Sequence, residues 1–148
     1  MARVKLAFPD EVFVFSTKMP VRITDINGAN HLGNDALISM LSEARAQFMV
    51  QMSLQEQIAD GVIIVVTDLA TMYQSESFYP EILRFEVGTT DLNKYGGDYV
   101  FRVTKAASGQ PVALAKYGFV FLDVRQKKVV EMPDYVREQL TNATVASQ

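Results

Sequence analysis

The sequence predicts an α+β domain in which an antiparallel β-sheet is wrapped around one long central α-helix. Residues 34–52 have the spacing of a helix that is apolar around more than half of its circumference. The stretch from Val62 to Val130 alternates extended apolar segments with turn residues, as antiparallel strands do. A helix that is apolar on so many sides has to be covered, and the sheet that follows it in the chain is the element available to cover it.

The composition indicates one soluble globular domain. The chain has 148 residues, of which 49% are hydrophobic and 21% are charged. We therefore expect residues 1–148 to form a single domain with a polar tail over about 141–148. The sequence has no cysteine and His31 is its one histidine, so we expect no metal site. The net charge of -3 argues against binding to nucleic acid, which requires a basic surface.

The amino-terminal segment does not have the pattern of a signal peptide, because Pro9, Asp10 and Glu11 interrupt its apolar start. The longest uninterrupted apolar run, Val62 to Val66, is too short to cross a bilayer. We therefore expect a cytoplasmic protein that does not insert into membranes.

The first elements are predicted to be extended. Residues Glu11 to Thr17 form a strand, Pro20 breaks it, and Val21 to Thr24 form a second strand. The ten residues from Asp25 to Asn34 are rich in turn formers and predict a structured loop. This loop ends at the helix, for which Asn34 or Asp35 is a suitable amino-terminal cap.

The central helix is predicted from Ala36 to about Met52. Its polar row is limited to Ser39, Glu43 and Gln47, and its apolar stripe consists of Leu37, Leu41, Ala44, Phe48 and Met52. Residues 53–56 have the form of a capping box and predict a short second helix that ends at Gly61.

The strands of the sheet are separated by clear turn signals. They are predicted at Val62–Tyr73, Ile82–Thr90, Tyr99–Ala106 and Val112–Val124. The turns between them fall at Tyr79–Glu81, at Asn93–Asp98, where Gly96-Gly97 is expected to form a hairpin turn, and at Ser108–Pro111. A last short helix is predicted from Pro133-Asp134 to Leu140.

Residues 21–34, VRITDINGANHLGN, followed by Glu43-Ala44-Arg45 on the helix, resemble the 4-hydroxybenzoyl-CoA thioesterase group of the hotdog-fold superfamily. The resemblance extends over about residues 11–134. It implies a hotdog fold and a hydrolase that cleaves an acyl-CoA thioester to the free acid and CoA without a cofactor. It also implies a homodimer or a dimer of dimers, that is a homotetramer, in which the subunits join their sheets and the acyl-CoA sites lie at the subunit interface.

The resemblance also implies a site at the start of the central helix. Its backbone N–H groups are expected to face the thioester carbonyl, where they stabilise a developing oxyanion. Asp25, Asn27 and His31 are the expected catalytic residues. Substrate is expected to contact Asn30, Leu32, Gly33, Asn34 and Glu76.

The roles of individual residues at this site have alternatives. The best-known branch of the family has its catalytic carboxylate where this chain has Asn27, and an amide is not a base. The base is then Asp25, Glu76 or Glu43, or it is missing. Asp25 and His31 are also suited to hydrogen-bonding the backbone, and Asn34 to capping the helix.

Two rival functions follow from the same residues. A hotdog protein that binds an acyl-CoA or an acyl carrier without turning it over is favoured by Asn27. A hydratase or dehydratase is the other rival, but its usual His-Asp or His-Glu arrangement has no clear counterpart here. A serine nucleophile is not expected, because the sequence has no Gly-x-Ser-x-Gly motif. Glu43 and Arg45 are expected to form ion pairs or a polar rim.

Overall fold

The computed structural model describes residues 2–54 and 58–146. Its described residues form two α-helices, six β-strands and two single turns of 3₁₀ helix, Asp10–Val12 and Ile23–Asp25. The helices are α1 (Asn34–Gln51) and α2 (Asp134–Ala146), and the strands are β1 (Phe13–Pro20), β2 (Val62–Tyr73), β3 (Ile82–Thr90), β4 (Gly96–Lys105), β5 (Pro111–Asp123) and β6 (Lys128–Val130). Neither helix of the described part is long and apolar enough to cross a membrane.

The strands form one antiparallel sheet with the order β1-β3-β4-β5-β2. The short strand β6 pairs with the end of β5, where Phe121 lies opposite Val130. Along β5, the pairing with β4 ends at Val120, which lies opposite Gly96, and the pairing with β6 starts at the next residue, Phe121. β1 and β2 are therefore the two edges of the sheet in this chain.

Helix α1 supplies the centre of the core. Leu41, Ala44 and Phe48 are fully buried on it, and they belong to one apolar cluster with Phe85, Phe101 and other inward residues of the sheet. Arg45 lies on the same helix, but its guanidinium stacks 5.7 Å from the ring of Tyr99 and 5.9 Å from that of Tyr117. The predicted α+β class and the wrapping of one long helix by the sheet are confirmed.

The segment Val21–Thr24 was predicted as a strand, and this is wrong. Residues Ile23–Asp25 form a single turn of 3₁₀ helix. The cause is local, because the Asp25 carboxylate accepts a hydrogen bond from the backbone N–H of Arg22 at 2.8 Å and folds the chain back on itself.

The prediction of a turn at Gly96-Gly97 is also wrong, since both residues lie inside strand β4. A Cβ on Gly96 would lie 1.8 Å from the carbonyl oxygen of Phe119, so the close approach of β5 requires glycine there. The turn lies earlier, where Asp91 has a φ of 51° and the Asn93 side chain accepts from the N–H groups of Tyr95 and Gly96.

The helix ends differ from the predictions. Gly33 is the cap residue of α1, no side chain caps it, and Asn34 is the first helical residue, so a capping role for Asn34 or Asp35 is wrong. Helix α2 continues to Ala146, beyond the predicted end at Leu140, and Val136 and Leu140 anchor it in the core. The short helix predicted from Ser53 to Gly61 includes residues 55–57, which lie outside the described residues, and the described residues 53–54 and 58–61 are not helical.

Candidate active site

A cavity of about 250 Å³ opens at the amino terminus of α1. One wall is the end of the loop that leads into the helix, and the opposite wall is the connection from β2 to β3. The lining residues are His31, Leu32, Gly33, Asn34, Leu37, Tyr73, Gln74, Ser75, Glu76, Ser77 and Val112. The cavity therefore contains the helix start that the sequence indicated, together with a second wall from a distant part of the chain.

The loop before α1 is fixed by backbone hydrogen bonds. The N–H of Gly33 donates to the carbonyl oxygen of Asp25 at 3.0 Å, and the N–H of Asn27 donates to that of His31 at 2.9 Å. Ile26 and Leu32 form an isolated antiparallel bridge, so the loop is a closed hairpin. This closure sets the direction in which the chain enters the helix.

The two walls are joined by a backbone hydrogen bond from the N–H of Leu32 to the carbonyl oxygen of Ser77, at 2.8 Å. The second wall is itself anchored to β5, because the N–H of Gln74 donates to Val112 and Ser75 Oγ donates to the carbonyl oxygen of Pro111 at 2.6 Å. Hydrogen bonds therefore fix the backbone of both walls of the cavity.

The first turn of α1, which begins at the cavity-lining residue Asn34, has N–H groups that the helix itself does not use. The N–H of Leu37 donates to the carbonyl oxygen of Gly33, which is the first bond of the helix. The N–H groups of Asn34, Asp35 and Ala36 precede that bond and have no acceptor within the helix. They carry the positive end of the helix dipole, which favours negative charge at this position.

Asp25 lies beside the cavity and does not line it. Its side chain is 6% exposed, and its oxygens accept from the backbone N–H, Nε and Nη2 of Arg22. Burial alone raises the pKa of the Asp25 carboxyl, but the hydrogen bonds from Arg22 outweigh burial and leave that pKa below its usual range. Asp25 is therefore a partnered carboxylate that holds the turn before the loop.

Asn27 and Asn30 belong to the outer part of the loop. The side-chain oxygen of Asn27 accepts from the N–H of Ala29 at 2.9 Å. Asn30 has a φ of 66°, and its N–H donates to the carbonyl oxygen of Asn27. Neither residue lines the cavity. Direct action of Asp25, Asn27 or Asn30 on a substrate stays a prediction.

His31 and Glu76 face each other across the cavity, with His31 Nε2 3.9 Å from Glu76 Oε1. His31 Nδ1 lies 3.0 Å from the carbonyl oxygen of Leu32. A carbonyl oxygen only accepts, so this contact places a proton on Nδ1 and, in the neutral ring, leaves the lone pair on Nε2. The accepting nitrogen of His31 and a carboxylate oxygen therefore point to the same space.

The comparison with protein families agrees with this architecture. A model described as the thioesterase-like superfamily matches residues 21–140, which include the loop, α1 and strands β2 to β6. The chain belongs to the thioesterase-like superfamily. The resemblance seen in the sequence is confirmed. No curated protein matches the chain.

Solved structures of a thioesterase, a probable thioesterase and a hypothetical protein share the hotdog fold of this superfamily member. A 1,4-dihydroxy-2-naphthoyl-CoA thioesterase from Synechocystis has a TM-score of 0.79 at 17% identity, over 86% of this chain and 96% of its own. The probable thioesterase YbaW from Escherichia coli has a TM-score of 0.75 at 24% identity, over 87% and 98%. A Staphylococcus aureus protein in complex with CoA has a TM-score of 0.81 at 15% identity, over 88% and 84%.

The structure of this superfamily member brings together only part of the predicted site. His31, Leu32, Gly33, Asn34 and Glu76 all line the cavity, whereas the other candidates do not. Glu43, the remaining candidate base, lines a separate groove of about 350 Å³ with Arg22 and Met40, and it accepts from Gln47 at 3.1 Å. The sequence did not single out Tyr73, Ser75 and Ser77, because only the pairing of Leu32 with Ser77 brings that wall to the helix.

Proposed function

We propose that this protein hydrolyses an acyl-CoA thioester to the free acid and CoA. The observation that carries the proposal is the meeting of His31, Glu76 and the start of α1 around one cavity. Membership in the thioesterase-like superfamily supports the same reaction. The thioester is taken to be that of CoA because one protein with this fold is in complex with CoA.

The attacking water in this proposal lies between His31 Nε2 and Glu76 Oε1. These atoms are 3.9 Å apart, which is too long for a direct hydrogen bond but allows one water to bond to both. Nε2 accepts a proton from the water as its oxygen attacks the thioester carbonyl carbon. When the carbon–sulfur bond breaks, that proton passes to the leaving CoA sulfur and the acyl group leaves as the acid.

The carbonyl oxygen becomes negatively charged during the attack, and in the proposed pose it faces the first turn of α1. The N–H groups there that the helix does not use are fixed before the reaction starts, so they stabilise the charge without further rearrangement. Asp25 has a positioning role in this scheme. Its backbone oxygen holds the N–H of Gly33 at 3.0 Å, and its carboxylate holds Arg22.

Pairing of two copies along strand β2 is part of the proposal. β2 has a neighbour on one side only and carries Ile63, Val66 and Leu69 with 39–46% of their surface exposed. A long apolar edge strand of this kind tends to pair with another strand. Because β2 ends at Tyr73 on the rim of the cavity, antiparallel pairing of β2 with its copy brings the partner's chain close to the site.

A second candidate function is binding of an acyl-CoA without turnover. It is favoured by the surroundings of Asp25 and Asn27, since the carboxylate is engaged by Arg22 and the amide by the loop. If the pair of His31 and Glu76 does not activate water, the cavity still has the donors to hold a thioester carbonyl.

The test is to incubate the purified protein with a panel of short, long and aromatic acyl-CoAs and to follow CoA release with a thiol reagent. Release that His31→Gln abolishes supports the proposed reaction. Thermal stabilisation by an acyl-CoA without release supports the binding function. If an acyl-CoA causes neither CoA release nor thermal stabilisation, both candidate functions are contradicted.

A further inference from the structure

The second wall of the cavity contains a hydroxyl group whose position is not explained by the fold. Ser77 is 2% exposed, and its Oγ has no hydrogen-bond partner among the described residues. A buried hydroxyl without a partner is unfavourable for folding and is rare in native proteins. Ser77 is also one of the residues that line the cavity.

Ser75 is an example of a hydroxyl on this wall that has a structural role. It lies two residues away and lines the same cavity, but its Oγ donates to the carbonyl oxygen of Pro111 at 2.6 Å. The backbone of Ser77 is equally well held, through its carbonyl oxygen and the N–H of Leu32. The hydroxyl of Ser77, in contrast, bonds to none of the described residues, and rotation about its single χ1 torsion is enough to redirect it.

The location of Ser77 limits what its hydroxyl can reach. Leu32, its backbone partner, comes immediately before Gly33, the cap residue of α1. A serine side chain is short, so an atom that bonds to Oγ also lies near the N–H groups of the first helical turn. The group expected at that place in the proposed reaction is the thioester carbonyl.

We infer that Ser77 Oγ–H is a hydrogen-bond donor to the thioester carbonyl oxygen of the bound acyl-CoA, beside the N–H groups of α1. The inference rests on the proposed function. It assigns the oxyanion a side-chain donor from the β2–β3 connection in addition to the helix start. The bond strengthens as the oxygen becomes charged, so its loss lowers kcat more than it raises KM.

The experiment compares wild type with Ser77→Ala, Ser77→Cys and the control Ser16→Ala, which changes an exposed serine on β1 outside this cavity, using the acyl-CoA that wild type hydrolyses best. The expected kcat of Ser77→Ala is lower by about 100-fold, with KM little changed. Ser77→Cys keeps a similar volume but is a weak donor, so a similar loss is expected. Ser16→Ala should keep kcat within about threefold.

A measurement of thermal unfolding without ligand separates this role from a structural one. Ser77→Ala should unfold at the same temperature as wild type or higher, because it removes an unsatisfied buried group. Wild-type kcat in Ser77→Ala would overturn the inference and leave the proposed hydrolysis standing, as would a loss of activity that only follows a loss of stability. If Ser77→Ala fails to fold, the kcat of Ser77→Cys decides. Absence of acyl-CoA hydrolysis by wild type would overturn both proposals.

Discussion

Asp25 and Arg22 form a closed unit in which one carboxylate accepts from both the backbone and the guanidinium of the same residue. The contacts are 2.8 Å to the backbone N–H, 3.2 Å to Nε and 3.1 Å to Nη2. The unit lies directly before the loop that leads to His31, and the backbone oxygen of Asp25 binds the N–H of Gly33. The helix start is therefore held by the backbone of Asp25, whose carboxylate is engaged by Arg22 and does not line the cavity.

Asp25→Asn is expected to lower the free energy of unfolding at pH 7 by about 1–3 kcal/mol, because a buried charged acceptor is lost. The pKa of Asp25 is lower in the folded chain than in the unfolded one, so this stabilisation is present above about pH 4 and is lost as the pH falls further. Urea unfolding at a series of pH values should show the two proteins converging in acid. Asp60→Asn, at the exposed ion pair with Arg125, is the control and should change little.

His31→Gln and Glu76→Gln are expected to lower kcat by about 10²–10⁴-fold. The first variant removes the proposed general base, and the second removes the carboxylate that holds the attacking water. Glu76 is 64% exposed, so its variant should unfold like wild type. If both residues hold one water, the double variant should lose little more than the slower single variant. Steady-state kinetics checks this prediction. Glu43→Gln is the control, because Glu43 is also a carboxylate but lies in a separate groove outside the cavity.

A comparison with Asp25→Asn tests the division of roles at this site. If Asp25 only positions the loop, its variant should keep a measurable kcat with the same dependence on pH as wild type. If Asp25 were the base, its kcat would fall as far as that of His31→Gln and its pH profile would change. The pH profile is informative because a merely destabilised loop does not move it.

The strand and helix pattern was predictable where local signals agree with the tertiary structure. β2 and β3 begin and end where the alternation and the turn residues placed them, and α1 differs by one or two residues at each end. Gly96 and Gly97 misled the prediction because a glycine that admits a neighbouring strand looks the same in sequence as one that makes a turn. Val21–Thr24 misled it because a side chain closed the turn.

The candidate site was predictable for the loop before α1 and, on the opposite wall, for Glu76 alone. The loop motif indicated His31, Leu32, Gly33 and Asn34, which all line the cavity. Ser75 and Ser77 come from the β2–β3 connection, and no local pattern pairs that connection with the loop. Arg45 is a further example, because the two tyrosines that receive its guanidinium lie on strands far along the chain.

Gly96→Ala is expected to destabilise the fold by about 1–3 kcal/mol or more, as overpacking against a fixed backbone does. The new Cβ would meet the carbonyl oxygen of Phe119 at 1.8 Å, and neither strand is free to move away within the sheet. Gly28→Ala is the matched control, since nothing lies within 4 Å of its Cβ position. Equal urea midpoints for the two variants would contradict the close approach of β4 and β5.

The edge of β2 gives the last prediction, which concerns assembly. Leu69→Arg places a charge on an exposed apolar position of the unpaired edge, and it should convert the proposed dimer to monomer because a charge there opposes strand pairing. Val129→Lys is the control, since Val129 is 49% exposed on β6, away from that edge. Sedimentation at micromolar concentration distinguishes the species. If the partner completes the site, CoA release by Leu69→Arg should fall in proportion to its dimer fraction. A wild-type monomer that hydrolyses acyl-CoA at full rate would show that pairing along β2 is not required.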